Sequence, residues 1–155
     1  AKLGNGFARI PDMLDKGVKL CIGTDSAGSN NTLNMFSDMN FICLAHKGKR
    51  RSATAVSARQ ALKMATETGA KALGFDNTGT LKEGYAADLT VMDMKYPSLQ
   101  PVNDSVAAMC YSASGYEVES VMVDGEFLME NREIKGMDEE RIYFECNKAM
   151  KRIDG

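Results

Sequence analysis

The stretch at residues 18–36 reads VKLCIGTDSAGSNNTLNMF and runs from a largely apolar segment into an acid and a polar loop. Its first part, residues 18–23, predicts a strand that is buried on both faces, as the strands of parallel sheets are. Asp25 follows this strand, at the end where α/β sheets and barrels place their functional groups. A buried carboxylate is costly without a cation beside it, so Asp25 is a candidate metal ligand or acid–base residue. From the local sequence alone, the alternative is a turn former that accepts backbone N–H bonds.

Helices are predicted on both sides of this strand, which is the order of elements in an α/β unit. A short helix precedes it. After the polar loop, Asn31 or Thr32 is expected to cap a second helix. Ser57, with Gln60 three residues later, forms a capping-box pattern, and we expect the third helix to run from there to Gly74.

The second half of the chain has the pattern of a small β domain. Residues 89–92 predict a strand, and Asp124-Gly125 predicts the two-residue type I′ turn of a hairpin. Asp138 is expected to cap a closing helix, whose apolar stripe consists of Ile142, Cys146, Met150 and Ile153.

These elements divide the chain into three expected parts. Residues 1–76 form the helical part with the buried strand, residues 77–136 form the β domain, and residues 137–155 form the closing helix. A strand that is buried on both faces needs parallel neighbours at both edges, and the chain offers none of the same kind. The sequence therefore predicts a part of a larger sheet.

Composition excludes several classes of partner. With 19 basic and 21 acidic residues, the net charge of -2 gives no electrostatic footprint for nucleic acid. No apolar run approaches the roughly 20 residues that span a bilayer, and no signal-peptide pattern is present, so we expect a cytoplasmic protein without a membrane partner. The cysteines lack zinc-site spacing and are interpreted as reduced core residues; they are Cys21, Cys43, Cys110 and Cys146.

Histidine is too scarce for a complete catalytic zinc site. Such a site takes three protein ligands, commonly two or three of them histidines, and His46 is the only histidine in the chain. Its helical spacing favours a structural position on a buried helix face. Serine catalysis is not supported either, because Ser26 and Ser29 lack the G-x-S-x-G pattern.

Three segments together resemble the carboxyl-terminal third of the metal-dependent amidohydrolases. They are GTDSAGSNNTLNMF (residues 23–36), GTLKEGYAADLTVMD (79–93) and LQPVNDSVAAMCYSASGYEVESVMVDGEFL (99–128). The first is similar to the loop after the eighth barrel strand in the branch that deaminates S-adenosylhomocysteine and 5′-methylthioadenosine. The resemblance extends over nearly the whole chain.

This resemblance implies an α/β fold that is incomplete. It consists of the last βα unit of a (β/α)₈ barrel, part of a small β-sandwich domain and a C-terminal helix. Asp25 matches the family's last metal ligand, which also takes the proton from metal-bound water as it attacks the purine carbon of a small-molecule substrate. The metal is divalent, zinc first and iron as the alternative. Ser29 and Asn30 are candidates for the substrate side of the loop.

The other metal ligands and the catalytic Glu of the family have no counterparts in this sequence. We therefore expect a fragment that by itself binds the metal weakly or not at all, has no turnover, and self-associates as a homo-oligomer through exposed strand edges. Ser26 and Asn34 depart from the family pattern and leave the substrate open. Guanine or cytosine deaminases and triazine hydrolases remain alternatives, and a noncatalytic binding or assembly domain is the rival from another class.

Overall fold

Residues 2–153, which the computed structural model describes, form five helices, then a small sheet that α6 interrupts after its first strand, and a closing helix. The α-helices are α1 (Ile10–Asp15), α2 (Ala27–Asn30), α3 (Met35–Arg50), α4 (Ala58–Ala65), α5 (Glu67–Ala72), α6 (Ser105–Tyr111) and α7 (Glu139–Ile153). The strands are β1 (Leu89–Met92), β2 (Val118–Val123), β3 (Glu126–Glu130) and β4 (Glu133–Ile134), and a 3₁₀ turn occupies Pro97–Leu99.

The core lies where α3, α4 and α6 pack together. Its buried side chains are Met39, Cys43, Val56, Ala61, Met64 and Cys110. Met39, Cys43 and His46 recur at helical spacing on α3, so one face of that helix enters the core. His46 is buried there, which confirms the structural position that its spacing predicted.

The caps of the helices agree with the sequence in one case and differ in another. The capping box at α4 is confirmed, because the Gln60 amide N–H donates to Ser57 Oγ at 3.2 Å and the Ser57 N–H donates to Gln60 Oε1 at 2.8 Å. The expectation that Asn31 or Thr32 caps α3 is wrong. A separate single turn, α2, intervenes and ends at Asn31, so the cap of α3 moves to Asn34.

The single helix expected to run to Gly74 is broken at Thr66. The backbone there leaves the helical region, with φ -119° and ψ -93°, and the Thr66 hydroxyl donates to the Leu62 carbonyl at 2.8 Å. Gly79 lies directly against this break with φ +77°, and a Cβ at that position would come within 2.9 Å of the Thr66 carbonyl oxygen. The break thus makes room for the chain that enters the β domain.

The four strands form one antiparallel sheet in the order β1-β2-β3-β4. The predicted hairpin turn is confirmed, since Asp124 and Gly125 have φ values of +49° and +84° between β2 and β3. Asp88 fastens this turn to the start of β1. Its carboxylate accepts from the Asp124 N–H at 2.8 Å and from the Thr78 hydroxyl at 2.6 Å.

Residues 18–23 do not form a strand in the described structure, so the prediction of a strand buried on both faces is wrong here. A strand needs a neighbour for its ladder bonds, and residues 2–153 place none beside this segment. Leu20 and Ile22 pack against the helical core, and the Ile22 N–H donates to the Met64 carbonyl at 3.2 Å. Val18 and Cys21 are exposed.

The closing helix α7 begins where predicted, because Asp138 Oδ1 accepts from the Arg141 N–H at 2.9 Å. Its apolar stripe is exposed along its length. The four cysteines are free, but only Cys43 and Cys110 are buried, so the interpretation of Cys21 and Cys146 as core residues is wrong.

Within residues 2–153, none of the helices combines the length and the apolarity required to cross a bilayer.

Candidate active site around Asp25

Asp25 lines an open cavity of about 600 Å³ on the surface of the helical part. The walls come from four places in the sequence. They are Lys2, residues 23–32 around Asp25 and α2, the first turns of α3, and the loop that follows α6 at Ala113 and Ser114. Most of the lining residues are polar, and Asp25 and Asp38 are the acids among them.

The backbone of Asp25 is in the left-handed region, with φ +60°. Asp and Asn tolerate this conformation better than most residues, and here it turns the chain from the extended segment into α2. Asp25 Oδ1 accepts a hydrogen bond from the Ser26 N–H at 2.8 Å. The local geometry therefore includes the turn-forming role that the sequence offered as the alternative.

The pKa of the Asp25 carboxyl is lowered from its ordinary value, first by the Ser29 hydroxyl and then by the Ser26 amide. The Ser29 hydroxyl also lies 3.1 Å from the Ser26 carbonyl oxygen, to which it can donate instead. Asp25 is exposed and stays charged at neutral pH. A charged, accessible carboxylate is suited to binding a cation or to accepting a hydrogen bond from water.

Ser26 and Ser29 build the single turn of α2. Ser26 is its N-cap, and its hydroxyl oxygen accepts from the Ser29 N–H at 3.4 Å. This fixes Ser29 on the cavity wall next to Asp25.

Asn30 connects the Asp25 segment to α3. Its Nδ2 donates to the Thr24 carbonyl at 2.7 Å and lies 3.3 Å from the nearer oxygen of Asp38. Its Oδ1 makes no hydrogen bond among the described residues, so it is free to accept one from a ligand. The structure thus brings Asp25, Ser29 and Asn30 to one cavity.

The structure gives Asn34 and Glu117 positions that sequence reasoning did not predict. Asn34 caps α3, with Oδ1 accepting from the Phe36 and Ser37 amides at 3.0 and 3.2 Å, while its Nδ2 donates to the Ser114 carbonyl at 2.7 Å. An Asp at this position could cap α3 but could not donate a hydrogen bond to the Ser114 carbonyl. The amide of Asn34 therefore has a structural role that the Asp of the family pattern would not fill. Glu117 is completely buried. In sequence it is indistinguishable from Glu119, its neighbour at the same alternation.

The described residues do not form a complete metal site. Among residues 2–153, no group of three or more His, Cys, Asp or Glu side chains is placed to hold a metal ion. His46 does not line the cavity; it lies against Phe7, with ring centroids 6.1 Å apart, and burial and then Lys49 lower its pKa. Zinc in proteins takes three or four protein ligands. The acids of this cavity are Asp25 and Asp38, and Asp38 is already engaged by Asn30, so only the Asp25 carboxylate is available to a metal.

Comparison with known proteins places the chain in a family. The sequence profile of the Amidohydrolase family matches residues 1–128. The 5-methylthioadenosine/S-adenosylhomocysteine deaminase of Acetivibrio thermocellus is 48% identical over 153 residues, which are 98% of this chain and 36% of that protein. The 5′-deoxyadenosine deaminase of Methanosarcina acetivorans is 44% identical over 98% of this chain and 35% of that protein.

Solved structures that resemble this chain belong to enzymes of the same kind. An adenosine deaminase from Xanthomonas campestris with bound zinc superposes with a TM-score of 0.95 at 32% identity, covering 99% of this chain and 35% of that one. Atrazine chlorohydrolase TrzN from Arthrobacter aurescens, complexed with zinc, superposes with a TM-score of 0.87 at 30% identity, covering 94% and 33%. The chain belongs to the amidohydrolase family. It spans about a third of the length of the curated relatives it matches.

Proposed function

We propose that this chain is the carboxyl-terminal part of a hydrolytic deaminase that acts on an adenine nucleoside such as 5′-methylthioadenosine or S-adenosylhomocysteine. The observation that carries the proposal is Asp25, which lines a polar cavity of about 600 Å³ in a chain 48% identical to such a deaminase over 98% of its length. The cavity has the size of a small-molecule site.

We assign residues 1–76 to the last βα unit of a (β/α)₈ barrel, residues 77–136 to the small β domain, and residues 137–155 to a C-terminal helix. The unpartnered segment at residues 18–23 supports this assignment, since some of its residues pack on the helical core and others are exposed. A barrel would place a parallel strand at each of its edges. Asp25 would then lie at the carboxyl end of a barrel strand, where barrel enzymes hold their catalytic groups.

Asp25 is the proposed catalytic residue. Its carboxylate is exposed and charged at neutral pH, so it can accept a hydrogen bond, and then a proton, from the water that attacks the purine carbon. It is also the one ligand that we propose this chain contributes to a divalent metal, zinc or else iron. The remaining ligands would come from residues outside this sequence.

Ser29 and Asn30 are the proposed substrate-binding residues. The Asn30 amide is already oriented by the Thr24 carbonyl, and its Oδ1 remains available for a donor on the substrate. The Ser29 hydroxyl donates to the Ser26 carbonyl and retains acceptor capacity. Both residues line the same cavity as Asp25.

The alternative substrates can be tested in one activity assay. The likeness to atrazine chlorohydrolase TrzN favours testing triazines, and guanine and cytosine complete the substrate set. We further propose a cytoplasmic location, supported by four free cysteines, and a homo-oligomer, supported by the exposed apolar residues of α7. A noncatalytic assembly domain would share the association but not the activity.

A chimera tests the proposed function. The amino-terminal part of the Acetivibrio thermocellus deaminase would be fused to this chain, which replaces the matching 36% of that protein. Conversion of 5′-methylthioadenosine to the hypoxanthine nucleoside would be followed by ultraviolet absorbance and ammonia release. We expect turnover in the chimera, and its loss in D25N. E119Q in β2 makes the same kind of change at a half-buried acid outside the cavity, so it is the matched control and should retain turnover.

The outcomes separate the hypotheses. An active chimera with an active D25N variant would remove Asp25 from the catalytic role, and turnover of a triazine but not of the nucleoside would change the substrate class. The isolated 155-residue chain is expected to contain well under one zinc or iron per chain by elemental analysis, and no turnover. Stoichiometric metal in the isolated chain would contradict the assignment of the other ligands to residues outside it.

A further inference from the structure

Glu117 is a buried acid that the proposed reaction does not use. It lies directly before β2, and its side chain is the largest among the completely buried ones in the described residues. Burying a carboxylate is costly unless hydrogen bonds replace its water. The contacts of Glu117 therefore indicate what this burial achieves.

The carboxylate of Glu117 holds the loop after α6. Its Oε2 accepts from two consecutive backbone amides, those of Ser114 at 3.0 Å and Gly115 at 2.9 Å. Its Oε1 accepts from the Ser98 hydroxyl at 2.8 Å. Burial acts to raise the pKa of Glu117, but the Ser98 hydroxyl and the backbone amides together lower it, so the group is charged at neutral pH.

The loop held in this way is a wall of the Asp25 cavity, through Ala113 and Ser114. The Ser114 carbonyl accepts from Asn34 Nδ2 at 2.7 Å, and Asn34 Oδ1 caps the first turn of α3. The same peptide segment is thus fixed on its amide side by Glu117 and on its carbonyl side by Asn34.

A chain of hydrogen bonds continues from α3 to Asp25. Asp38, in the first turns of α3, lies 3.3 Å from Asn30 Nδ2, which also donates to the Thr24 carbonyl at 2.7 Å. Thr24 directly precedes Asp25. A buried acid in the β domain is therefore connected to the exposed acid of the cavity by contiguous polar contacts.

We propose that Glu117 is a positioning residue that fixes the loop at residues 113–115 as a wall of the cavity and, through Asn34, sets the placement of Asp25 and Asn30. Its catalytic meaning rests on the proposed function, whereas the positioning itself is a property of this chain. Glu117 does not line the cavity itself; it acts through Ser114, which does.

Substitutions at Glu117 separate shape from charge. Gln keeps an oxygen for the two amides, and its NH₂ group can donate to the Ser98 hydroxyl, which rotates to accept. Ala leaves both amides without an acceptor. Glu119 is the matched control, because it lies two residues after Glu117, inside β2, and its side chain makes no hydrogen bond or ion pair among the described residues.

The experiment is a ¹⁵N–¹H correlation spectrum of the 155-residue chain and its variants, at a temperature where circular dichroism shows each to be folded. In E117A we expect resolved shifts of the Ser114 and Gly115 amides together with those of Thr24, Asp25 and Asn30. E117Q should restore the shifts of the last three toward wild type, and E119A should leave all five in place.

Shifts in E117A that stop at Ser114 and Gly115 would overturn the proposal. If E117A fails to fold, N34S decides the question, because it keeps a capping oxygen and every contact of Glu117 but cannot reach the Ser114 carbonyl. Shifts at Thr24, Asp25 and Asn30 in N34S support the connection, and their absence overturns it. This readout needs no turnover, so a failed chimera assay would refute the proposed function without changing this result.

Discussion

Asn34 makes two separable interactions, and substitutions at this residue should measure the contribution of each to the free energy of unfolding. Its Oδ1 caps α3, a role that Ser can take over, whereas its Nδ2 donates to the Ser114 carbonyl, a role that Ser cannot. Loss of an N-cap costs about 1 kcal/mol. A neutral hydrogen bond near the surface lies toward the low end of its range, about 0.5 kcal/mol. We therefore expect N34S to lose about 0.5 kcal/mol of unfolding free energy and N34A about 1.5 kcal/mol.

Urea denaturation followed by circular dichroism at 25 °C would measure both variants, with the transition slope m compared to confirm that the unfolded state is unchanged. N103S is the control, since Asn103 is exposed and its side chain makes no hydrogen bond among the described residues. Equal losses for N34S and N34A would refute the partition, because the cap would then contribute nothing. N34S with wild-type stability would refute the contribution of the tie to Ser114.

Three further predictions concern the caps, the site and the surface. S57A should lose about 1 kcal/mol in the same assay, because the capping box loses its Oγ acceptor, whereas S105A in α6, where Asp104 is the cap, should stay close to wild type. The folded-state pKa of Asp25 is lowered, so its contribution to stability is present above its ordinary pKa of about 3.9 and is lost as pH falls through the lower folded value. The urea midpoint of D25N should therefore drop less than that of the wild type below about pH 4. An identical drop in both proteins would contradict this. Sedimentation velocity should show concentration-dependent association that weakens when Ile142 and Met150 of the exposed α7 stripe are both changed to Glu. The control N147E changes a polar position on the same helix and should leave the association unchanged. A wild-type chain that is monomeric at all concentrations would refute the association.

The sequence predicted best where a few neighbouring residues set the structure. The capping box of Ser57 and Gln60 and the Asp124-Gly125 turn were confirmed because each depends on contacts within three residues or on the backbone preference of a single pair. The helix break at Thr66 was missed. It depends on Gly79, which packs against that point from the next part of the chain.

The candidate site was predicted in part. Asp25, Ser29 and Asn30 lie close in sequence, so one loop carries them to the same cavity. The strand before them was predicted with burial on both faces, but a strand requires a partner that residues 2–153 do not place beside it. The roles of the three residues stay predictions until the chimera and its D25N variant are measured.

The sequence by itself determined the family pattern, the local caps and turns, and the acid that follows the apolar segment, because all of these are written in short-range order. Only the tertiary structure decided which polar residues hold the site. Asn34 meets Ser114 across 80 residues, and Ser98 meets Glu117 across 19. Glu117 and Glu119 are the same residue type, but folding buries Glu117 completely and supplies hydrogen-bond donors to its carboxylate. No local sequence pattern determines which of the two is buried.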